Sequence, residues 1–143
     1  MNLNELSYAI IGAAMKVHRA LGPGLLESAY EACLAYELEK QGFRVERQKP
    51  VPVVYEGVHL DCGFRADLLV NGLVVVELKA KEKIHPIDCA QALSHLRLLK
   101  LSLGLLINFH ESDLKKGIKR IVNNFKEARN ADFADYRGEE FSA

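Results

Sequence analysis

Three cysteines are too few and too scattered to organise this chain. Cys33, Cys62 and Cys89 are odd in number, far apart, and form no CxxC pair. That argues against a disulfide framework or a zinc site and fits a reducing cytoplasm. Long hydrophobic runs are also missing. No apolar stretch approaches the roughly 20 residues that span a bilayer, so no membrane partner is expected. The start, Met1-Asn2-Leu3-Asn4-Glu5, lacks the basic residues and apolar block of a secretory signal. Charge of one sign is absent too. The 19 Lys and Arg balance 19 Asp and Glu, so no global basic field draws nucleic acid. No GxxxxGK loop is present to cradle a phosphate, which argues against a small-molecule phosphohydrolase. Repeats, low-complexity stretches and linkers are lacking as well.

What is present is ordinary for a globular protein: 143 residues, 49% hydrophobic and 27% charged. One domain over 1–143 is expected, with a core from about 8 to 126 and an acidic tail over 130–143. The charge is uneven. From Lys79 to Arg129 eleven Lys and Arg face five Asp and Glu, while Asp132, Asp135, Glu139 and Glu140 make the tail acidic. That pattern fits either a local basic face or solvated helix surfaces.

Asn4 can cap a first helix carrying Leu6, Ile10, Ala14, Val17 and Leu21 at helical spacing. Gly22-Pro23-Gly24 breaks it. A second helix is expected from about Leu25 to Gln41, with Gly42 just past its end. Strands follow at Phe43–Lys49 and Val51–Tyr55, with turns at Pro50 and Glu56-Gly57. Phe64–Val70 and Leu73–Ala80 flank Asn71-Gly72, a strong hairpin signal. The continuous apolar run Leu73-Val74-Val75-Val76 suits a central strand. Pro86 suits the first turn of a helix reaching about Lys100. Leu103–Phe109 reads as another buried strand. A final helix is expected from Ser112 or Asp113, with Ile118, Ile121, Val122 and Phe125 turned inward. The expected order is ααβββαβα, an α/β fold whose mixed sheet is flanked by helices, with a parallel unit from Leu73 to Phe109.

Polar residues interrupt the two hairpin strands. Asp67 stands between Ala66 and Leu68; Glu77 and Lys79, two residues apart, share one strand face. Such groups are costly in an apolar sheet unless paired or bound to metal. A hard cation such as Mg²⁺ or Mn²⁺ needs few protein oxygens, because it keeps several waters. The metal reading therefore assigns Asp67 and Glu77 as ligands and Lys79 as the group that neutralises developing charge. A buried carboxylate–lysine ion pair explains the same spacing. The turn decides between them. A strict two-residue loop pairs Asp67 with Val76 and turns Glu77 away. A three-residue turn with Gly72 left-handed in a bulge is expected instead, pairing Asp67 with Val75 and setting Glu77 on the Asp67 face.

Other groups can join this site. Glu27, Tyr30 and Glu31 lie on one helix face. Glu27 either supplies a third acid to the metal or merely complements the helix dipole; Tyr30 either packs or contacts phosphate. Gln91, flanked on its helix face by Asp88 and His95, can hold a water, a phosphate oxygen or Lys79, or simply face solvent. His18, beside the Gly-Pro-Gly turn, can reach the same cleft or serve a structural role.

Gly24-x-x-Glu27-x-x-Tyr30 resembles the signature of the small GxxExxY proteins, placed in the PD-(D/E)XK nuclease superfamily. Val17–Gly24, Arg65-Ala66-Asp67, Glu77-Leu78-Lys79, Gln91 with Leu96, and Gly104–Phe109 resemble that family too, covering roughly residues 8 to 122. The resemblance implies a restriction-endonuclease-like core. It implies metal ligation by Asp67 and Glu77, a catalytic Lys79, Glu27 as the helical acid beside the metal, and Gln91 as the glutamine after the ExK strand. Tyr30, His18 and Arg65 are the expected substrate contacts. The expected activity is Mg²⁺- or Mn²⁺-dependent phosphodiester hydrolysis, in DNA more than RNA, with a homodimer or partner protein supplying specificity. A non-catalytic nucleic-acid-binding or protein-interaction module retaining the fold is the alternative.

Overall fold

The computed structural model of the chain describes residues 1–125 and 133–138. Most of the expected acidic tail lies outside the described residues, and Asp135, within them, is buried in a strand rather than solvated.

Two helices lead. α1, Leu3–Leu21, is capped by Asn2, whose side chain accepts the Glu5 N–H at 2.8 Å. Asn4 is therefore not the cap; it sits inside the first turn and accepts a hydrogen bond from Arg120 at 3.1 Å. α2, Glu27–Lys40, stops just before Gly42, whose φ of +93° is the left-handed conformation that favours glycine after a helix.

Then come β1 (Val45–Pro50), β2 (Val53–Tyr55), β3 (Val58–Leu60), β4 (Arg65–Val70) and β5 (Val74–Lys79). α3 (Pro86–Leu99) begins on its proline as expected. β6 (Leu103–Asn108), a 3₁₀ turn (Leu114–Gly117), β7 (Ile118–Val122) and β8 (Ala134–Tyr136) follow. The main sheet has six strands in the order β1-β4-β5-β6-β7-β8, and β2 and β3 form a separate hairpin. Only the β5–β6 and β7–β8 pairs are parallel. The result is the expected class, a mixed sheet flanked by helices.

The expected final helix is a strand. Ile118, Ile121 and Val122 have helical spacing, but they are β-branched, and β6 is buried along its whole length. A fully covered central strand needs a partner on each side. β5 supplies one ladder and β7 the other, from Leu103↔Val122 to Ile107↔Ile118.

The core has two layers. Leu68, Val74, Val76, Leu78, Leu105 and Ile107 pack under α1 and α2. Leu69, Val75, Leu106 and Ile121 pack under α3 against Cys89, Leu93 and Leu96. The period-two alternation of β5 thus sends Val76 and Leu78 to one side and Val75 and its neighbours in phase to the other. Among the described residues no helix is long and apolar enough to cross a membrane.

Candidate active site

The hairpin turn sets the site. Asn71 and Gly72 both take left-handed φ, 54° and 67°, and the Leu73 N–H donates to the Val70 carbonyl at 3.0 Å. That is a two-residue turn of the primed type. The ladder nevertheless pairs Val70 with Val74, so Leu73 and Val74 both stand opposite one residue. The expected bulge is present, but its extra residue is Leu73, on the β5 side. The register therefore shifts toward Glu77. Leu69 pairs with Val75 and Leu68 with Val76, so Asp67 does not take the expected pairing with Val75.

The ladder stops short of Asp67. There Asp67 Oδ2 accepts the Leu78 N–H at 2.8 Å. Ladder N–H groups point across to the neighbouring strand, so this carboxylate stands in the split between β4 and β5, where a backbone acceptor would otherwise be. Its Oδ1 accepts from Gln48 Nε2 at 3.3 Å, and the same amide donates to Glu31 Oε1. Gln48 holds a φ of +52°, uncommon for a residue with a side chain. Arg47 donates from Nη2 to Glu31 Oε2 at 3.0 Å. Asp67, Gln48 and Glu31 line an open cleft of about 770 Å³ with Leu25, Leu26 and Glu27. Burial, first, and the negative charges of Glu77 and Glu31 push the Asp67 carboxyl up to about 6, against the opposing pull of the Leu78 N–H.

Glu77 lies on the α3 side. It is buried, and its Oε1 accepts a hydrogen bond from His95 Nδ1 at 2.7 Å. Lys79, in phase with it, is half-buried and makes no ion pair among the described residues. Nearby Asp88 pairs with Lys81 at 2.6 Å and accepts the His85 N–H at 2.8 Å. Burial alone would raise the Asp88 carboxyl; Lys81, the His85 N–H and the charge of Lys79 outweigh it and hold the group below its usual range.

The remaining expected residues divide. Glu27 opens α2 at the edge of the cleft, exposed. Gln91 is exposed on α3 between the buried Asp88 and His95. Arg65 starts β4, donating to the Phe64 carbonyl at 2.9 Å and to Asp61 at 3.4 Å. Tyr30 is not on the cleft surface. It is fully buried, stacked on Phe109 at 4.4 Å, and its hydroxyl donates to the Gly22 carbonyl while accepting the Leu25 N–H. Those bonds staple the Gly-Pro-Gly turn and use the hydroxyl's one proton. His18 does not reach the cleft either. It donates from Nε2 to the Glu111 carbonyl at 2.7 Å and borders a separate recess with Arg19 and Asp113.

Three residues of this site were given no role from the sequence: Glu31 and His95, noted only for their helical spacing, and Gln48, not noted at all. Glu31 and His95 each lie one helical turn beyond a residue that was given one, Glu27 and Gln91. Nothing in the sequence marks Gln48, whose place follows from the β1–β4 pairing around Arg47↔Leu68 and Lys49↔Ala66.

Among the described residues no three His, Cys, Asp or Glu side chains gather into a ready metal cage. The negative charge of Glu77 is felt at Asp67, but Asp67 opens to the cleft beside α2 while Glu77 turns to His95 on the α3 side, so the two acids do not share one face as the sequence led us to expect. Two carboxylates with water in the remaining positions suit Mg²⁺ or Mn²⁺ better than a metal needing a full protein shell.

No curated protein and no solved structure matches the chain. A family model does, over residues 4–121. That span includes Asp67 in its strand split, the Glu77-Leu78-Lys79 strand, α2, α3 and all of α1 but its first residue. The chain belongs to the PD-(D/E)XK nuclease superfamily.

Proposed function

We propose that the chain is a divalent-metal-dependent nuclease of the GxxExxY type, with DNA as its substrate, acting in the cytoplasm as a homodimer or with a partner protein. The observation that carries this reading is the carboxylate of Asp67. It accepts the Leu78 N–H in the split between β4 and β5, and burial first, then the negative charges of Glu77 and Glu31, raise its proton affinity.

Asp67 and Glu77 would hold Mg²⁺ or Mn²⁺, which when bound polarises the phosphodiester and acidifies an attacking water. Lys79, without an ion pair among the described residues, is placed to neutralise charge developing on the phosphate. Gln48 and Leu78 N–H fix the Asp67 carboxylate. Glu27 and Glu31 add negative charge on the α2 side and orient water there. Arg65, two residues before Asp67, is placed for a phosphate contact.

The test is cleavage of single-stranded, duplex and branched DNA, and of RNA, with Mg²⁺ or Mn²⁺ and with EDTA. Metal-dependent cleavage abolished by Asp67→Asn supports the reading. Absence of cleavage on every substrate, in a folded protein that also fails to bind Mn²⁺, overturns it. One observation favours the alternative, a non-catalytic binding module: one oxygen of Glu77 is already engaged by His95.

A further inference from the structure

The His95–Glu77 pair is a deeply buried polar contact beside the proposed site. Both side chains are more than nine-tenths buried, and Nδ1 and Oε1 are 2.7 Å apart. A carboxylate only accepts, so the Nδ1 carries the proton. His95 comes from α3 and Glu77 from β5, so the bond ties the helix to the strand that bears Glu77-Leu78-Lys79. The His95 ring is itself held, with Leu96 and Leu93 buried beside it on the helix and Phe64 at 6.3 Å between ring centroids. His95 Nε2 has no hydrogen-bond partner among the described residues. The ring is therefore anchored by packing and by Glu77 alone.

We propose that His95 is a positioning residue for Glu77: it occupies Oε1 and leaves Oε2 as the single oxygen that Glu77 presents to a divalent cation. This rests on the reading of Glu77 as a metal ligand. Two consequences follow from chemistry. A carboxylate whose second oxygen is engaged binds in one-oxygen fashion, which suits the short, near-octahedral shell of Mg²⁺ or Mn²⁺; Ca²⁺ more readily takes both oxygens of one carboxylate. Removing such an outer partner typically weakens metal binding by about 10- to 100-fold. His95 thus sets both the affinity of the site and its preference for small cations.

The test is calorimetric titration of Mn²⁺ and of Ca²⁺ into the full chain and four variants, with circular dichroism as the check on folding. The variants are Glu77→Ala, His95→Phe, His95→Asn and His95→Gln. An asparagine amide reproduces the position of Nδ1, whereas a glutamine amide reaches the position of Nε2. His95→Asn is expected to bind Mn²⁺ within about threefold of wild type. His95→Gln and His95→Phe are expected to bind it about 10- to 100-fold more weakly, with a smaller loss for Ca²⁺. If His95→Phe does not fold, the Asn and Gln variants alone decide. Equal Mn²⁺ affinity in wild type, Asn and Gln variants overturns the inference while leaving the metal site standing. Failure of wild type to bind Mn²⁺, or equal binding by Glu77→Ala, overturns the parent reading.

Discussion

The carboxylate of Asp67 accepts the backbone N–H of Leu78, the central residue of the Glu77-Leu78-Lys79 triplet, at 2.8 Å. One acid is thereby lashed to the strand that carries the other acid and the lysine. The carboxylate's position nevertheless costs the protein stability, because burial, first, and negative neighbours oppose its charge more than the Leu78 N–H favours it. The folded pKa, about 6, lies above the usual 3.8. Between those values the folded chain keeps a proton that the unfolded chain has lost, so this group's contribution to stability falls as pH rises from about 4 to 6. Asp67→Asn keeps an acceptor for Leu78 N–H and removes the charge. Without metal it should be more stable than wild type by about 1–2 kcal/mol at pH 8, a figure already discounted for the carboxyl's partial exposure, and equal to it at pH 4. Urea unfolding at the two pH values checks this; a variant less stable at pH 8 would show that the carboxylate is not under strain.

Lys79 makes no ion pair among the described residues, so Lys79→Met should leave folding nearly untouched, within about 0.5 kcal/mol. DNA cleavage should fall by about 100-fold or more, and Mn²⁺ affinity should hold or rise slightly. Parallel unfolding and cleavage measurements separate these effects. Equal cleavage by Lys79→Met and wild type would remove Lys79 from the reaction.

Tyr30 is a staple of the turn ahead of α2, not a substrate contact. Tyr30→Phe strands the Gly22 carbonyl and the Leu25 N–H and should cost about 1–3 kcal/mol in unfolding free energy. DNA affinity, read by fluorescence anisotropy under conditions where the variant is folded, should not change. Weaker DNA binding with unaltered stability would restore the expected phosphate contact.

Arg120, 1% exposed, joins α1 to β8 through Asn4 at 3.1 Å and Asp135 at 3.6 Å. Arg120→Met leaves Asp135 buried with, among the described residues, Arg137 alone at 3.3 Å and should cost about 3–5 kcal/mol. Neutralising the acid as well, in Arg120→Met with Asp135→Asn, should recover most of that loss. Equal unfolding midpoints for single and double variants would show that the buried charge is not the source of the cost.

The fold was legible where local chemistry and tertiary demand agree. Gly42 and Pro86 mark helix ends, and Asn71-Gly72 marks the hairpin, because each is selected by backbone conformation. The strand over Ile118–Val122 was not legible. Its apolar spacing satisfies a helix, and the reason it extends is the need of the buried β6 for a second ladder, a demand that lies outside its own sequence. The site divides in the same way. Asp67, Glu77 and Lys79 stand out as charges in apolar strands. Gln48 does not, and His95 stands out only as a neighbour of Gln91, since each acts through a partner distant in sequence: Glu31 and Asp67 for one, Glu77 for the other. The direction of the register shift at Leu73 was hidden for a related reason. A bulge on either strand satisfies the same turn dipeptide.

The most direct test of the central claim is a crystal structure grown with Mn²⁺, with anomalous density used to locate the ion. The account predicts one peak in the split between β4 and β5, with oxygens of Asp67 and of Glu77 within roughly 2.3 Å of it, and its loss in Asp67→Asn. A wild-type crystal saturated with Mn²⁺ that shows no peak there, or a peak bound without Asp67 and Glu77, would contradict it.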